Sequence, residues 1–254
     1  MSEPLHLHRY GPQGPIQVLA IHGLTGHGQR WQTLATRHLT EFTVAAPDLL
    51  GHGRSSWSAP WTIDANVAAL AALLDRPTVV VGHSFGGAVA LMLAASHPEL
   101  VSALVLLDPA VGLDGGWMRD IADDMMASPD YTDRAEARAE KANGSWADVA
   151  AEELDRELDE HLIDLSNGRC GWRISIPAMM SYWSELARPI TLPPSTIPTT
   201  LVRAARTDPP YVTDELVTGL SDSPGFALLE FECNHMVAQA LPAETATVIR
   251  KALG

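Results

Sequence analysis

The sequence predicts an α/β architecture: a mainly parallel central sheet flanked by helices, with a helical cap inserted late in the chain. Three observations carry this reading. Short apolar runs rich in Val, Ile and Leu recur, each followed by small or turn-forming residues and then by a longer stretch with helical spacing. That alternation is the signature of parallel strands joined by crossover helices. The rhythm lapses between residues 111 and 190 and resumes near residue 199. A chain of 254 residues, 46% hydrophobic and 19% charged, is also long enough to bury a substantial core as one unit.

Taken in order, the runs at 5–10, 16–21, 42–45, 78–82, 103–107, 199–204 and 226–231 read as strands. The first two are separated by Gly11-Pro12-Gln13-Gly14-Pro15, which reads as the turn of an N-terminal hairpin. Helical spacing follows at 29–39, 63–74, 85–97, 214–220 and 242–253. Residues 111–190 show no convincing strand; Leu154, Leu158 and Leu162 recur every four residues among Glu and Asp, marking an amphipathic helix. Pro189, Pro193, Pro194 and Pro198 then break any continuous helix on the way back to the sheet. The expected organisation is therefore a core of residues 1–110 and 191–254, with residues 111–190 as a helical cap insertion.

Thirty-one acidic against 17 basic residues give a formal charge of −14, which repels a phosphate backbone or an anionic membrane. Nucleic acid and membrane are excluded as expected partners. Residues 111–190 hold 17 Asp/Glu and 8 Lys/Arg, so this third of the chain carries −9 of the total, as solvated helical faces do. Cys170 and Cys233 are too far apart in sequence for a metal-ligand pair and too few for a disulfide framework, so both are read as reduced structural thiols. Met1 to Tyr10 contains Glu3, His6, His8 and Arg9 and lacks a signal-peptide core, and no uncharged apolar run approaches the ~18 residues of a membrane span. A cytoplasmic location is the expectation.

The chemistry is concentrated at Gly82-His83-Ser84-Phe85-Gly86, preceded by the strand run 78–82 and followed by helical spacing. A Gly-x-Ser-x-Gly motif needs both flanks. Its serine occupies a sharp strand-to-helix bend in an unfavourable backbone conformation, and glycine is required on each side to avoid a clash. The helix start also turns free backbone N–H groups toward negative charge developing beside the serine, and the Phe85 N–H is one such donor. His22-Gly23-Leu24-Thr25-Gly26 follows the strand run 16–21, the right place for the other half of an oxyanion hole, with the Leu24 N–H as donor. His22 reads as a structural hydrogen-bonder.

A serine hydroxyl needs a base, and the base needs a group to hold its ring. Among ten histidines, His235 in Glu232-Cys233-Asn234-His235-Met236 follows the last strand and precedes the final helix, where it can overhang the sheet edge near the bend. Two carboxylates compete for the third place. Asp208 ends Leu201-Val202-Arg203-Ala204-Ala205-Arg206-Thr207-Asp208 and gives Ser, Asp, His order along the chain, so it is the favoured acid. Asp108, which closes the strand after the bend's own helix, is the rival.

With these residues in place the chain resembles a capped, single-domain α/β-hydrolase, the kind that includes esterases, lactonases and carbon–carbon bond hydrolases. The resemblance spans nearly the whole length. Pro47-Asp48-Leu49-Leu50-Gly51-His52-Gly53-Arg54-Ser55 matches the family's Asp-x-x-Gly-x-Gly-x-Ser loop, which is structural and lies near the site in relatives; the extra glycine of Ser84-Phe85-Gly86-Gly87 is also common there. One departure lies before the favoured acid, where relatives often carry glycine and this chain has Ala204-Ala205-Arg206-Thr207. Ser84 in place of an aspartate argues against the dehalogenase and epoxide-hydrolase branches.

The expected activity is hydrolysis of a carboxylic ester, or related acyl bond, of a small and partly apolar molecule through an acyl-enzyme on Ser84, with no cofactor and no metal. Carbon–carbon bond hydrolysis or a lyase step by the same three groups is the alternative within enzymes. A non-catalytic ligand-binding receptor is the alternative outside them. Specificity is expected from the cap, where Trp117, Trp146, Trp172, Trp183, Met125, Met126, Met179 and Met180 concentrate; Trp146, Trp183 and Met179 are the candidate substrate contacts. Arg119, Arg169 and Arg173 are candidates to anchor a substrate carboxylate, with surface arginine as the favoured reading.

Overall fold

The computed structural model describes residues 5–254; residues 1–4, with which the N-terminal segment begins, lie outside the described residues. Seven strands form the main sheet: β1 (Leu7–Tyr10), β2 (Val18–Ile21), β3 (Val44–Pro47), β4 (Thr78–His83), β5 (Val101–Leu107), and, after an insert carrying the short strands β6 (Leu162–Asp164) and β7 (Cys170–Trp172), β8 (Thr199–Ala204) and β9 (Phe226–Phe231). Their order across the sheet is β1-β3-β2-β4-β5-β8-β9. Every neighbouring pair is parallel except β1 with β3.

Period-two alternation divides the core cleanly. Leu19, Ile21, Val80, Leu104 and Leu106 join one buried cluster, while Val18, Ala20, Val79, Val81, Val105 and Leu107 join the cluster on the opposite face. Strands buried on both faces read as continuous apolar runs, which is why they stand out in the sequence.

The helices are α1 (Ile63–Ala71), α2 (Phe85–Ser96), α3 (Gly115–Ala127), α4 (Arg134–Asn143), α5 (Ala151–His161), α6 (Ile176–Leu186), α7 (Asp214–Ser221), α8 (Val237–Ala240) and α9 (Pro242–Leu253). Side-chain caps fix several starts: Thr62 accepts from the Ala65 N–H, Asp114 from Trp117, Asp133 from Glu136 and Thr213 from Leu216. None of these helices is long and apolar enough to cross a membrane.

Three expectations need correction. The N-terminal hairpin does not form, because β2 is fully buried and takes parallel partners β3 and β4 on its two sides, leaving β1 to pair with β3 at the sheet edge. The stretch read as a helix over 29–39 is instead a 3-10 turn, Gly28–Trp31, followed by a π-helical turn, Leu34–His38. Residues 111–190 contain, besides α3 to α6, the antiparallel ribbon β6–β7. Three-residue strands are too short to show alternation. The insert has no core of its own: Met118, Trp146, Leu154, Leu158 and Met179 belong to the same buried cluster as one face of the sheet. Cys170 and Cys233 are both unpaired and buried.

Candidate active site

Parallel strands deliver their C-terminal ends to one edge of the sheet, where Ser84 follows β4, Asp108 follows β5 and His235 follows β9. Ser84 separates β4 from α2 at φ 54° and ψ −122°, the strained bend the motif requires. Both glycines are explained by close backbone approach. A Cβ on Gly82 would lie 2.3 Å from the Gly86 carbonyl oxygen, and one on Gly86 would lie 2.4 Å from the Ile21 carbonyl oxygen. Hydrogen bonds lock the bend: the Ser84 N–H donates to the Leu107 carbonyl at 3.1 Å, and the Ser84 carbonyl accepts from Gly87 and Ala110.

His235 follows β9, and its Nδ1–H donates to Asp108 Oδ2 at 2.6 Å. Asp108 closes β5 at φ 43°, is 1% exposed, and also accepts from the Ala204 N–H and the Thr207 hydroxyl, both at 3.1 Å. The rival carboxylate therefore makes the contact expected of Asp208. Asp208 is exposed and borders an open cleft of about 320 Å³ that also reaches His235, with no hydrogen bond to that ring. The physical reason lies in the course of the chain after β8. The Ala205 and Arg206 N–H groups keep pairing with the carbonyls of Phe231 and Cys233, so Thr207 arrives at the Asp108 carboxylate and Asp208 follows it into the exposed cleft.

Two further supports hold the His235 loop. The buried ring of His83, the residue before Ser84, packs 4.6 Å from the His235 ring, and its Nε2–H donates to the His235 carbonyl at 2.8 Å. Burial, with His235 adding to it, pushes the His83 pKa well below the ordinary histidine value, so this donor is neutral. From the insert, Asp148 accepts from the Asn234 backbone N–H at 2.6 Å and from its side-chain amide at 2.8 Å. Tyr211 packs against His235 with the two rings tilted and their centroids 4.5 Å apart. Sequence reasoning missed His83, Asp148 and Tyr211; position inside the serine motif was the one available signal, for His83.

Gly23 sits against the serine, for a Cβ built there would lie 2.8 Å from Ser84 Cβ. The His22 Nε2 accepts from the Leu49 N–H at 3.0 Å, which leaves the proton on Nδ1 to donate to the Gly23 carbonyl at 2.7 Å. Burial keeps His22 well below its ordinary pKa, hence neutral, the structural role expected of it. The Gly26 N–H also donates to the Gly23 carbonyl. In a trans peptide the N–H points opposite to the C=O, so anchoring that carbonyl turns the Leu24 N–H the other way. Among the described residues, neither the Leu24 nor the Phe85 N–H has a hydrogen-bond acceptor.

The candidate substrate contacts separate. Trp183 lines a cavity of about 490 Å³ beneath the insert, together with Trp172, Ile174, Ile176 and Thr25. Met179 is fully buried in the core behind that wall. Trp146, 3% exposed, is held between Arg30 and Lys141, whose cationic groups lie 5.3 and 4.8 Å from its ring. Helical spacing placed these residues on buried faces without telling which face meets a cavity. Arg119 and Arg169 pair with Asp120 and Asp130. Arg173 is half-buried, with its Nε unpartnered.

One other cluster carries metal-ligand types: His6, His8 and Asp48 have ligand atoms within 4.8 Å of one another. The Asp48 oxygens are engaged by the Gly28 and Arg54 N–H groups and by His8. Burial alone would raise this carboxyl, but those bonds outweigh it and hold the pKa below the usual range. The carboxylate ties its loop together, as the structural motif at 47–55 requires.

Comparison with known proteins gives a consistent picture. The model of the "Alpha/beta hydrolase family" matches residues 18–248. The chain is 64% identical over 256 residues to Lipase LipV of Mycobacterium tuberculosis, covering 98% of each. Over 95 residues, 37% of each chain, it is 39% identical to a pimeloyl-[acyl-carrier protein] methyl ester esterase of Neisseria meningitidis. Among solved structures, E-2-(acetamidomethylene)succinate hydrolase superposes with a TM-score of 0.82 at 20% identity, over 98% of this chain and 94% of the other. A marine microorganism esterase does so with a TM-score of 0.78 at 20% identity, over 98% and 99%.

Proposed function

Because the chain belongs to the α/β hydrolase family, we propose that it hydrolyses carboxylic esters through an acyl-enzyme on Ser84, with His235 as general base and Asp108 as the orienting acid. The observation that carries this reading is the 2.6 Å bond from His235 Nδ1–H to Asp108, which leaves Nε2 as the free nitrogen of a ring packed against His83, the residue before Ser84. The lipase to which the chain is 64% identical supports ester hydrolysis as the reaction class.

In this scheme His235 Nε2 accepts the Ser84 proton as the oxygen attacks the ester carbonyl, and Asp108 stabilises the imidazolium that forms. The Leu24 and Phe85 N–H groups, both without acceptors among the described residues, receive the charge on the carbonyl oxygen; losing one such donor raises the barrier by about 3 kcal/mol. His235 then returns the proton to the departing alcohol and activates water against the acyl-enzyme. The insert, whose Asp148 anchors the loop of His235, acts as the cap that shapes the substrate site.

Ser84→Ala tests the scheme. The variant is expected to lose hydrolysis of 4-nitrophenyl acyl esters and labelling by a fluorophosphonate while keeping its circular dichroism spectrum. Undiminished turnover would remove the reading.

A further inference from the structure

Between the insert and the loop after β2 lies a buried ionic cluster whose charges do not balance. Among the described residues, Glu157 on α5 is the carboxylate that these cations bond, and both of its oxygens are already used. Arg30 Nε donates to both, Arg30 Nη2 donates to Oε1 at 2.5 Å, and His27 Nε2 meets Oε2 at 2.9 Å. Lys141 on α4 is the second cation, with its Nζ 3.2 Å from the same Oε1 and a side chain only 9% exposed. His161 adds no compensating charge: its Nε2 meets the Thr25 carbonyl at 3.1 Å, and burial keeps its pKa well below the ordinary value. Two cations thus share one anion in a largely buried place, where water screens them weakly.

The surplus lies on the cavity side. The Lys141 ammonium has three N–H groups, of which one reaches Glu157; among the described residues the others have no acceptor and face the rings of Trp172 at 4.1 Å and Trp146 at 4.8 Å. Lys141 and Trp172 both line the cavity of about 490 Å³. Its acidic lining residues, Glu140 and Asp124, are exposed at the rim, and Glu140 already accepts from the Tyr131 hydroxyl. Gly144 and Ser145 border both this cavity and the cleft that reaches His235, and Thr25, next to the oxyanion donor Leu24, lines the cavity too. The two cavities thus meet at Gly144 and Ser145, and a substrate reacting at Ser84 that reaches across them meets a cation that shares its carboxylate with Arg30.

We infer that the cavity takes an ester whose far end bears a carboxylate, held by Lys141 through a charge-assisted hydrogen bond. Such a group neutralises the buried cluster and supplies the missing acceptor. The inference rests on the proposed ester hydrolysis at Ser84 and adds the chemical class of the substrate.

The test compares 4-nitrophenyl hemi-adipate with 4-nitrophenyl hexanoate, which replaces the terminal carboxylate by a methyl group. At neutral pH the wild-type protein is expected to favour the hemi-adipate about tenfold or more in kcat/KM. Lys141→Met should reduce that ratio at least tenfold, and Lys141→Arg should restore most of it. Preference for hexanoate, or a ratio unmoved in Lys141→Met, overturns the proposal. If Lys141→Met does not fold, inhibition of 4-nitrophenyl acetate hydrolysis by the wild type decides instead: hexanoate must bind more tightly than hexanol, and the reverse order overturns the anchor. Calorimetric titration of Ser84→Ala with the two esters separates anchor from chemistry. Tighter binding of the hemi-adipate supports the anchor even if no ester is turned over, whereas equal or absent binding defeats it.

Discussion

At the scale of single residues, the assignment of the acid makes the sharpest prediction. Asp108→Asn leaves the hydrogen-bond geometry nearly intact but favours the wrong imidazole tautomer, so kcat is expected to fall by about 10⁴-fold. Asp208→Asn, at an exposed position with no bond to His235, is expected to stay within a few-fold of wild type. Steady-state kinetics on one 4-nitrophenyl ester decides between them, and the reverse ranking would return the role to Asp208. The bend at Ser84, the helix start at Phe85 and the place of His235 after the last strand were legible in the sequence because a strand, a bend and a helix start are local facts. The choice of carboxylate was not, for both candidates end strands that neighbour the imidazole. Which one arrives depends on how far the chain after β8 stays paired with the chain after β9, a tertiary matter that Ala204-Ala205-Arg206-Thr207 does not announce.

At the scale of elements, α5 is tied to the loop after β2 through Glu157, and that tie has a stability consequence. Burial alone would raise this carboxyl; Arg30, Lys141 and His27 outweigh it and hold the pKa well below the ordinary value. Glu157→Gln keeps the shape and strands two buried cations, so it is expected to lower unfolding stability by about 3–5 kcal/mol in urea titrations. A loss below about 1 kcal/mol would mean that the cluster is open to water. The strands of the main sheet could be read from their apolar runs, whereas the partner of β1 could not, because pairing across the sheet is set by which strand needs two neighbours. The amphipathic character of α5 was visible in Leu154 and Leu158, but not that Glu157 between them turns inward; a buried ion pair has no periodic signature.

At the scale of the whole molecule, a net charge of −14 conceals a small positive region in the interior. Burial lowers the Lys141 pKa to about 8, while Glu157 works to raise it and Arg30 to lower it further. The ammonium is thus present below about pH 8 and lost as pH rises through that value. Glu157, Glu140, Arg30, His27 and His161 are the other ionisable groups around it. The ratio of kcat/KM for hemi-adipate over hexanoate should accordingly decline as pH rises through about 8, since the pH dependence of the serine chemistry cancels between two esters. A ratio that stays level from pH 7 to 9.5 would speak against the anchor.

The two unpaired cysteines offer a view of how this architecture loosens. Cys170 lies on β7 within the insert, and Cys233 lies two residues before His235; they are 6% and 1% exposed. A thiol reagent can reach either sulfur only after the surrounding structure opens. The order in which the two are alkylated under native conditions therefore tells whether the insert opens before the His235 loop gives way, or the two breathe as one.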